Sequence, residues 1–294
     1  MMLGGRLGRL AGHLSKRRAI ITRKNIDLCL PELSEAERNR IYRQAMESAG
    51  KGFFETGMAW FWSGSRLKKL CQIEGLEYLA KAREQGKGVI FLGVHFTTIE
   101  IGAAFLNNHI SIDGFYRPHA NPVYDYVQRK GRERHDPDSR VIPRSDVRGI
   151  IRNLRGGRVI NYMTDQDYGR KHSIFVPFFG IPAATVTAPS QFARLGNALA
   201  IPYITGRSAD DTGYFIRIFP PLAVGGGQDA DDAIVINHFI EARIRENPGQ
   251  YLWAHRRFKT RPDGQRDFYH IGHLAWAKRK HRRRHRNPST TGDK

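Results

Sequence analysis

Cysteine is almost missing from this 294-residue chain, which carries only Cys29 and Cys71. Both sit in apolar contexts, "IDLCLPEL" and "KLCQIEG", and their spacing matches no metal site. They read as buried thiols and give no sign of an oxidising compartment. Long apolar runs are missing too. No stretch approaches the ~18 residues that a transmembrane helix needs, so none is expected within this sequence. The opening "MMLGGRLGRLAGHLSKRRAI" is basic every few positions and lacks the apolar centre of a signal peptide. Several catalytic signatures are also absent: the G-x-S-x-G elbow, H-E-x-x-H, and the phosphate loop G-x-x-x-x-G-K-[ST].

Acid is scarce relative to base. Asp and Glu number 28 against 48 Lys and Arg, a formal charge of +20. Such an excess implies an anionic partner: nucleic acid, an acidic membrane surface or a phosphorylated substrate. Charge alone does not choose among them. With 40% hydrophobic and 11% aromatic residues, the chain is globular and long enough to bury a large core.

Three parts are expected: a basic, membrane-proximal segment 1–33, a folded body 34–272 and a basic, disordered tail 273–294. Ser34 and Glu37 form a capping-box pattern ahead of a helix reaching residue 62. That helix ends in the clusters Phe53–Phe54 and Trp60–Phe61–Trp62, which suit either core packing or a membrane interface. From about residue 74, strand-like and helix-like segments alternate. "EGLEYLAKAREQG" reads as a helix, "GVIFLGV" as a buried strand, "TTIEIGAAFLNN" as a helix and "RVINYMT" as a later strand. The pattern predicts an α/β domain with a central, mostly parallel sheet flanked by helices.

His95 falls where "GVIFLGV" ends, and functional groups of such sheets collect at strand carboxyl ends. Glu100 follows five residues later. On one continuous helix the two would point roughly 140° apart, so a bend is needed to bring them together. Joined that way, the carboxylate would take one imidazole N–H and leave the other nitrogen as a base. A satisfied core histidine is the alternative. Arg117, in "FYRPHANP", ends another predicted strand and suits a phosphate or a polarised carbonyl. The loop "TDQDYGRKHS" gathers Asp165, Gln166, Asp167, Arg170 and Lys171. An Asp-x-Asp pair alone is a weak metal signal, and no metal site is expected. "FFGIPAAT" suits core packing or an acyl groove. "WAHRRFKTRP" interleaves aromatics with cations, as nucleic-acid and membrane surfaces both do.

The H-x-x-x-x-E pattern after an apolar strand resembles the signature of the lysophospholipid acyltransferase superfamily. "NIDLCLPELSE", "GVHFTTIEIG", "YRPHANPVYDYVQRKGR", "DQDYGRKHSIFVPFFGIPAAT" and "QYLWAHRRFKTRP" resemble its lipid A late acyltransferase branch, of the lauroyl and palmitoleoyl type. The resemblance runs in order to about residue 270. It implies a glycerolphosphate-acyltransferase-like fold with an N-terminal helical segment. The implied reaction moves a fatty acyl group from acyl carrier protein to a hydroxyl of a Kdo-bearing, phosphorylated glucosamine lipid, with no cofactor. His95 would be the general base and Glu100 its orienting partner. Arg117, Asp165, Gln166, Asp167, Arg170 and Lys171 would face substrate, with Asp165 and Asp167 bracing the loop. The implied place is the cytoplasmic face of a bacterial inner membrane. Family members carry an N-terminal membrane helix ahead of "LGRL", and this sequence starts after it, which leaves a shortened chain or peripheral binding. Two alternatives remain: another lipid acceptor (a glycerophospholipid, a mannosylated or an amino-acid lipid), or a basic nucleic-acid-binding protein, although no recognition motif of the latter is present.

Overall fold

A computed structural model describes residues 16–116, 119–143 and 146–269. Residues 1–15, the expected tail and Arg117 therefore lie outside the described residues. Helix α1 (Lys16–Cys29) leads into α2 (Glu35–Phe61). The capping box that starts α2 is formed in both directions: Glu37 N–H donates to Ser34 Oγ, and Ser34 N–H donates to the Glu37 carboxylate at 2.8 Å. Next come the short α3 (Gly64–Lys68), β1 (Cys71–Glu74), α4 (Leu76–Glu84) and β2 (Gly88–Gly93). After these follow α5 (Ile99–Asn107), β3 (Ile112–Tyr116), α6 (Pro122–Glu133), β4 (Val141–Pro143), α7 (Val147–Arg155) and β5 (Val159–Met163). The chain continues through β6 (Ser173–Phe178), β7 (Ile181–Val186), α8 (Ala188–Gly196), β8 (Ala198–Arg207), β9 (Tyr214–Ile218) and α9 (Asp229–Glu246).

The main sheet has seven strands in the order β1-β9-β8-β2-β5-β3-β4. Neighbours run parallel except β9 on β8. This is the mostly parallel, helix-flanked sheet that the alternating pattern predicts. Strand β2 sits at its centre and is buried along its whole length. Its side chains alternate between two cores, as a two-residue period requires. Ile90 and Leu92 join the core built by α1, α2, α7, α8 and α9, while Val89 and Phe91 join the one built by α3, α4, α5 and the end of α2. With helices on both sheet faces, a central strand reads as unbroken apolar sequence.

Strand β7 has no counterpart in the sequence reading. It pairs antiparallel with β6, outside the main sheet. "FFGIPAAT" is that hairpin: Phe178, Ala183 and Ala184 are buried. Both cysteines are free. Cys29 is buried as expected, but Cys71, on edge strand β1, is only half-buried because β9 is its sole neighbour in the sheet. No helix among the described residues is long and apolar enough to cross a membrane.

Candidate active site

The register of two neighbouring strands builds the site. Strands β2 and β5 run parallel with Gly93 opposite Met163. Two residues beyond each come His95 and Asp165, at the same end and level of the sheet. Their side chains meet: His95 Nδ1 lies 2.5 Å from Asp165 Oδ1, and the His95 backbone N–H donates to Asp165 Oδ2 at 2.9 Å. Asp165 is fully buried. Burial alone would push its carboxyl up. The charge, ring and backbone N–H of His95 more than offset that, so the group stays ionised below the usual carboxylate range.

This differs from the expected pairing in two ways. Glu100 stands in the first turn of α5, as predicted, yet its carboxylate accepts from other donors. Arg132 of α6 grips it through Nε at 3.1 Å and through Nη2, and Trp60 Nε1 of α2 donates at 3.2 Å. Asp165 was placed among the substrate contacts, but it is fully buried and both of its carboxylate oxygens meet His95. Both His95 and Glu100 line one cavity of about 390 Å³. Its wall is largely apolar along Ile99, Ala103, Leu106, Ile112 and Phe115, and Arg129, Arg132 and Tyr168 also border it.

The backbone leading out of β2 is fastened from three sides. Leu252 N–H donates to His95 O, and Thr97 N–H donates to Gln250 O, each at 2.9 Å. Thr97 Oγ1 lies 2.6 Å from Ser48 Oγ on α2. Ser48 Oγ also accepts from Arg207 Nη1, and Arg207 pairs bidentately with Glu55, both bonds at 2.6 Å. Helix α2 passes so close that a Cβ at Gly52 would lie 2.7 Å from Thr97 O. Neither threonine caps α5 with its side chain: Thr98, the cap residue, instead meets Thr205 Oγ1 at 2.8 Å.

The loop after β5 divides by role. Asp167 is buried and accepts from Thr260 N–H at 2.6 Å, Thr260 Oγ1 at 2.9 Å and Gly169 N–H at 2.8 Å, which ties the loop to the segment around Thr260. Its own N–H donates to His255 Nε2 at 2.9 Å. Burial drives the His255 pKa down to about 4, with the nearby carboxylates of Asp165 and Asp167 opposing. Arg170 is exposed and turned toward Arg261 O and Asp263, each within 2.9 Å. Lys171 is exposed and Gln166 partly buried. Among the described residues no group of three or more His, Cys, Asp or Glu gathers as a metal site.

Sequence reasoning missed Asp165 as the partner of His95. Half of the signal was present, since both residues stand two positions past the ends of their strands; the other half, that β2 and β5 are neighbours, is a matter of strand order. Arg132 as the partner of Glu100 had no such signal, since α5 and α6 meet only through tertiary packing.

A family model for bacterial lipid A biosynthesis acyltransferases matches residues 1–260. The chain is 40% identical over 264 residues to the lipid A biosynthesis lauroyltransferase of Escherichia coli, covering 89% of this chain and 86% of that protein. It is 42% identical over 267 residues to a lipid A biosynthesis acyltransferase of Haemophilus influenzae, covering 89% and 84%. Identity to the lipid A biosynthesis palmitoleoyltransferase of Escherichia coli is 40% over 268 residues, covering 91% and 87%. A mostly parallel sheet with a His–Asp contact at the ends of its central strands, and a match along nearly the full length, lead to one conclusion: this chain belongs to the bacterial lipid A biosynthesis acyltransferases.

Proposed function

We propose that the enzyme moves a fatty acyl group from an acyl carrier protein thioester to a hydroxyl of a Kdo-bearing lipid A precursor, at the cytoplasmic surface of a bacterial inner membrane. The observation that carries this reading is the His95–Asp165 pair set against a largely apolar cavity. With Nδ1 committed to Asp165, Nε2 of His95 takes the proton of the acceptor hydroxyl as its oxygen attacks the thioester carbonyl. The carbon–sulfur bond then breaks, and the imidazolium returns the proton to the departing thiolate. Asp165 fixes the ring and stabilises its charged state. In this scheme Glu100 acts one step removed from the base, holding Arg132 at the cavity rather than steering the imidazole. The apolar wall accepts the acyl chain. Arg117 would hold a phosphate or polarise the thioester carbonyl, and Arg170 and Lys171 would meet substrate from the loop.

Mass spectrometry of a defined phosphorylated disaccharide lipid, incubated with the enzyme and a set of acyl carrier protein thioesters, tests the reading. The expected product is the lipid plus one acyl group, absent with His95→Ala. Normal turnover by His95→Ala would remove the mechanism. Transfer to a glycerophospholipid, with none to the disaccharide, would replace the acceptor.

A further inference from the structure

The stretch "WAHRRFKTRP" has no part in the chemistry above, and the fold splits it in two. Trp253, Arg257 and Phe258 are buried. Arg257 spends its guanidinium on Ala184 O and Thr185 Oγ1, at 2.7 and 2.8 Å, so this half is core. The other half turns outward. Arg256 and Lys259 meet Arg17 and Arg18, from the first turn of α1, around a second hollow of about 410 Å³ completed by Ile21, Ala254 and His255. Among the described residues no carboxylate lines it. Asp167 Oδ1 lies 3.8 Å from Lys259 Nζ, but that carboxylate is buried and held by Thr260 and Gly169.

Four cations around one concave space repel each other unless an anion joins them. Arginine forks suit the oxygens of a phosphate, and a hollow suits a headgroup better than the broad, flat contact that a folded protein partner needs. The location also matters. His255 walls the hollow and receives the Asp167 N–H, while Asp165, two residues earlier, holds His95. The Asp165–Asp167 stretch thus links this hollow to the catalytic imidazole.

We propose that the hollow bordered by Arg17, Arg18, Arg256 and Lys259 binds a phosphomonoester of the acceptor lipid and anchors its headgroup while a hydroxyl reaches His95. The identity of the phosphate's bearer rests on the function proposed above; the anion site itself does not.

The test uses the full chain carrying His95→Ala, so that binding is read without turnover. Four ligands are titrated: a bisphosphorylated glucosamine disaccharide lipid in mixed micelles, its dephosphorylated counterpart, inorganic phosphate, and an acyl carrier protein thioester. Arg17→Gln/Arg18→Gln, and separately Arg256→Gln, are expected to weaken the phosphorylated lipid at least ~10-fold, as loss of charge-assisted contacts does. The dephosphorylated lipid and the carrier protein should bind the variants and their parent alike. Inorganic phosphate should compete with the phosphorylated lipid on the parent and have no effect on the residual binding of the double variant. Unchanged binding of the phosphorylated lipid would overturn the proposal, and so would an equal loss for the dephosphorylated lipid. A loss confined to the carrier protein would overturn it in favour of a docking site for the donor. Should Arg256→Gln fail to fold by circular dichroism, the double variant decides, because both of its side chains are exposed. Absence of acyl transfer by the unmodified enzyme would sink the proposed function instead, and the phosphate dependence of binding would still be read.

Discussion

Asp165 and Glu100 lie on different sides of His95, and substitution separates their roles. Asp165→Asn keeps the shape but removes the charge that stabilises an imidazolium and fixes its tautomer. Turnover should fall ~10²–10⁴-fold with the circular dichroism spectrum unchanged. Glu100→Gln leaves His95 its partner and loosens Arg132, so it should cost less than Asp165→Asn in single-turnover acyl transfer. The reverse ranking would restore Glu100 as the orienting acid. His255 supplies a second residue-scale test. Its Nε2 accepts the Asp167 N–H, so protonation breaks that bond. The folded pKa of about 4 lies below the ordinary value of 6.5. As pH falls through that window the unfolded chain takes a proton that the folded chain refuses, and stability drops by ~3 kcal/mol across it. Urea denaturation at pH 7, 5.5 and 4.5 should show the decline, and His255→Gln should flatten it. His95 was legible from its place after an apolar strand. The acid beside it was legible only as a member of a loop, because pairing across β2 and β5 depends on strand order, which local sequence does not carry.

At the scale of elements, the site depends on how α2 meets the end of β2. The bidentate Arg207–Glu55 pair is buried, with Tyr214 Oη also donating to Glu55 at 3.0 Å. Ser48 then hands the contact on to Thr97, two residues from His95. Removing one member leaves an unpartnered charge in the interior. Glu55→Ala and Arg207→Ala should each lower the unfolding free energy by ~3–5 kcal/mol. Equal urea midpoints for either variant and the parent enzyme would show that the pair is dispensable. The elements themselves were largely readable: the Ser34 capping box placed the start of α2, and β-branched runs marked β2, β5 and β8. "IFVPFF" stood out as the segment that becomes β6, whereas the edge strand β1 and strand β7 were not separated from their surroundings. "CQIE" is too short to show a period, and in "GIPAATV" Gly180, Pro182 and two alanines break up the strand signal of Ile181, Thr185 and Val186; it is the pairing with β6 that makes it a strand.

The whole molecule combines a +20 charge with large apolar side chains left in solvent. On α2, Phe53 is 77% and Phe61 62% exposed, and on α6, Val123 is 71% exposed. Trp60 of α2 and Tyr124 of α6 meet edge to face at 5.7 Å, and both helices border the His95 cavity. Duplex nucleic acid, whose bases are already stacked, would use the charge and leave the phenylalanines in water; an anionic lipid surface uses both. The two contributions separate by salt. Attraction between cations and lipid headgroups is screened over ~8 Å at physiological ionic strength, whereas burial of an aromatic ring in the interface is not. Binding to vesicles of mixed neutral and anionic phospholipid should therefore weaken with salt but level off above zero. Phe53→Ser/Phe61→Ser should remove that salt-resistant remainder and leave the low-salt attraction. Co-sedimentation across a salt series measures both parts, with duplex DNA as the competing ligand. If the double variant keeps the plateau, the exposed rings of α2 do not enter lipid. If DNA binds tightly and selectively at physiological salt while vesicles do not, the charge serves nucleic acid instead.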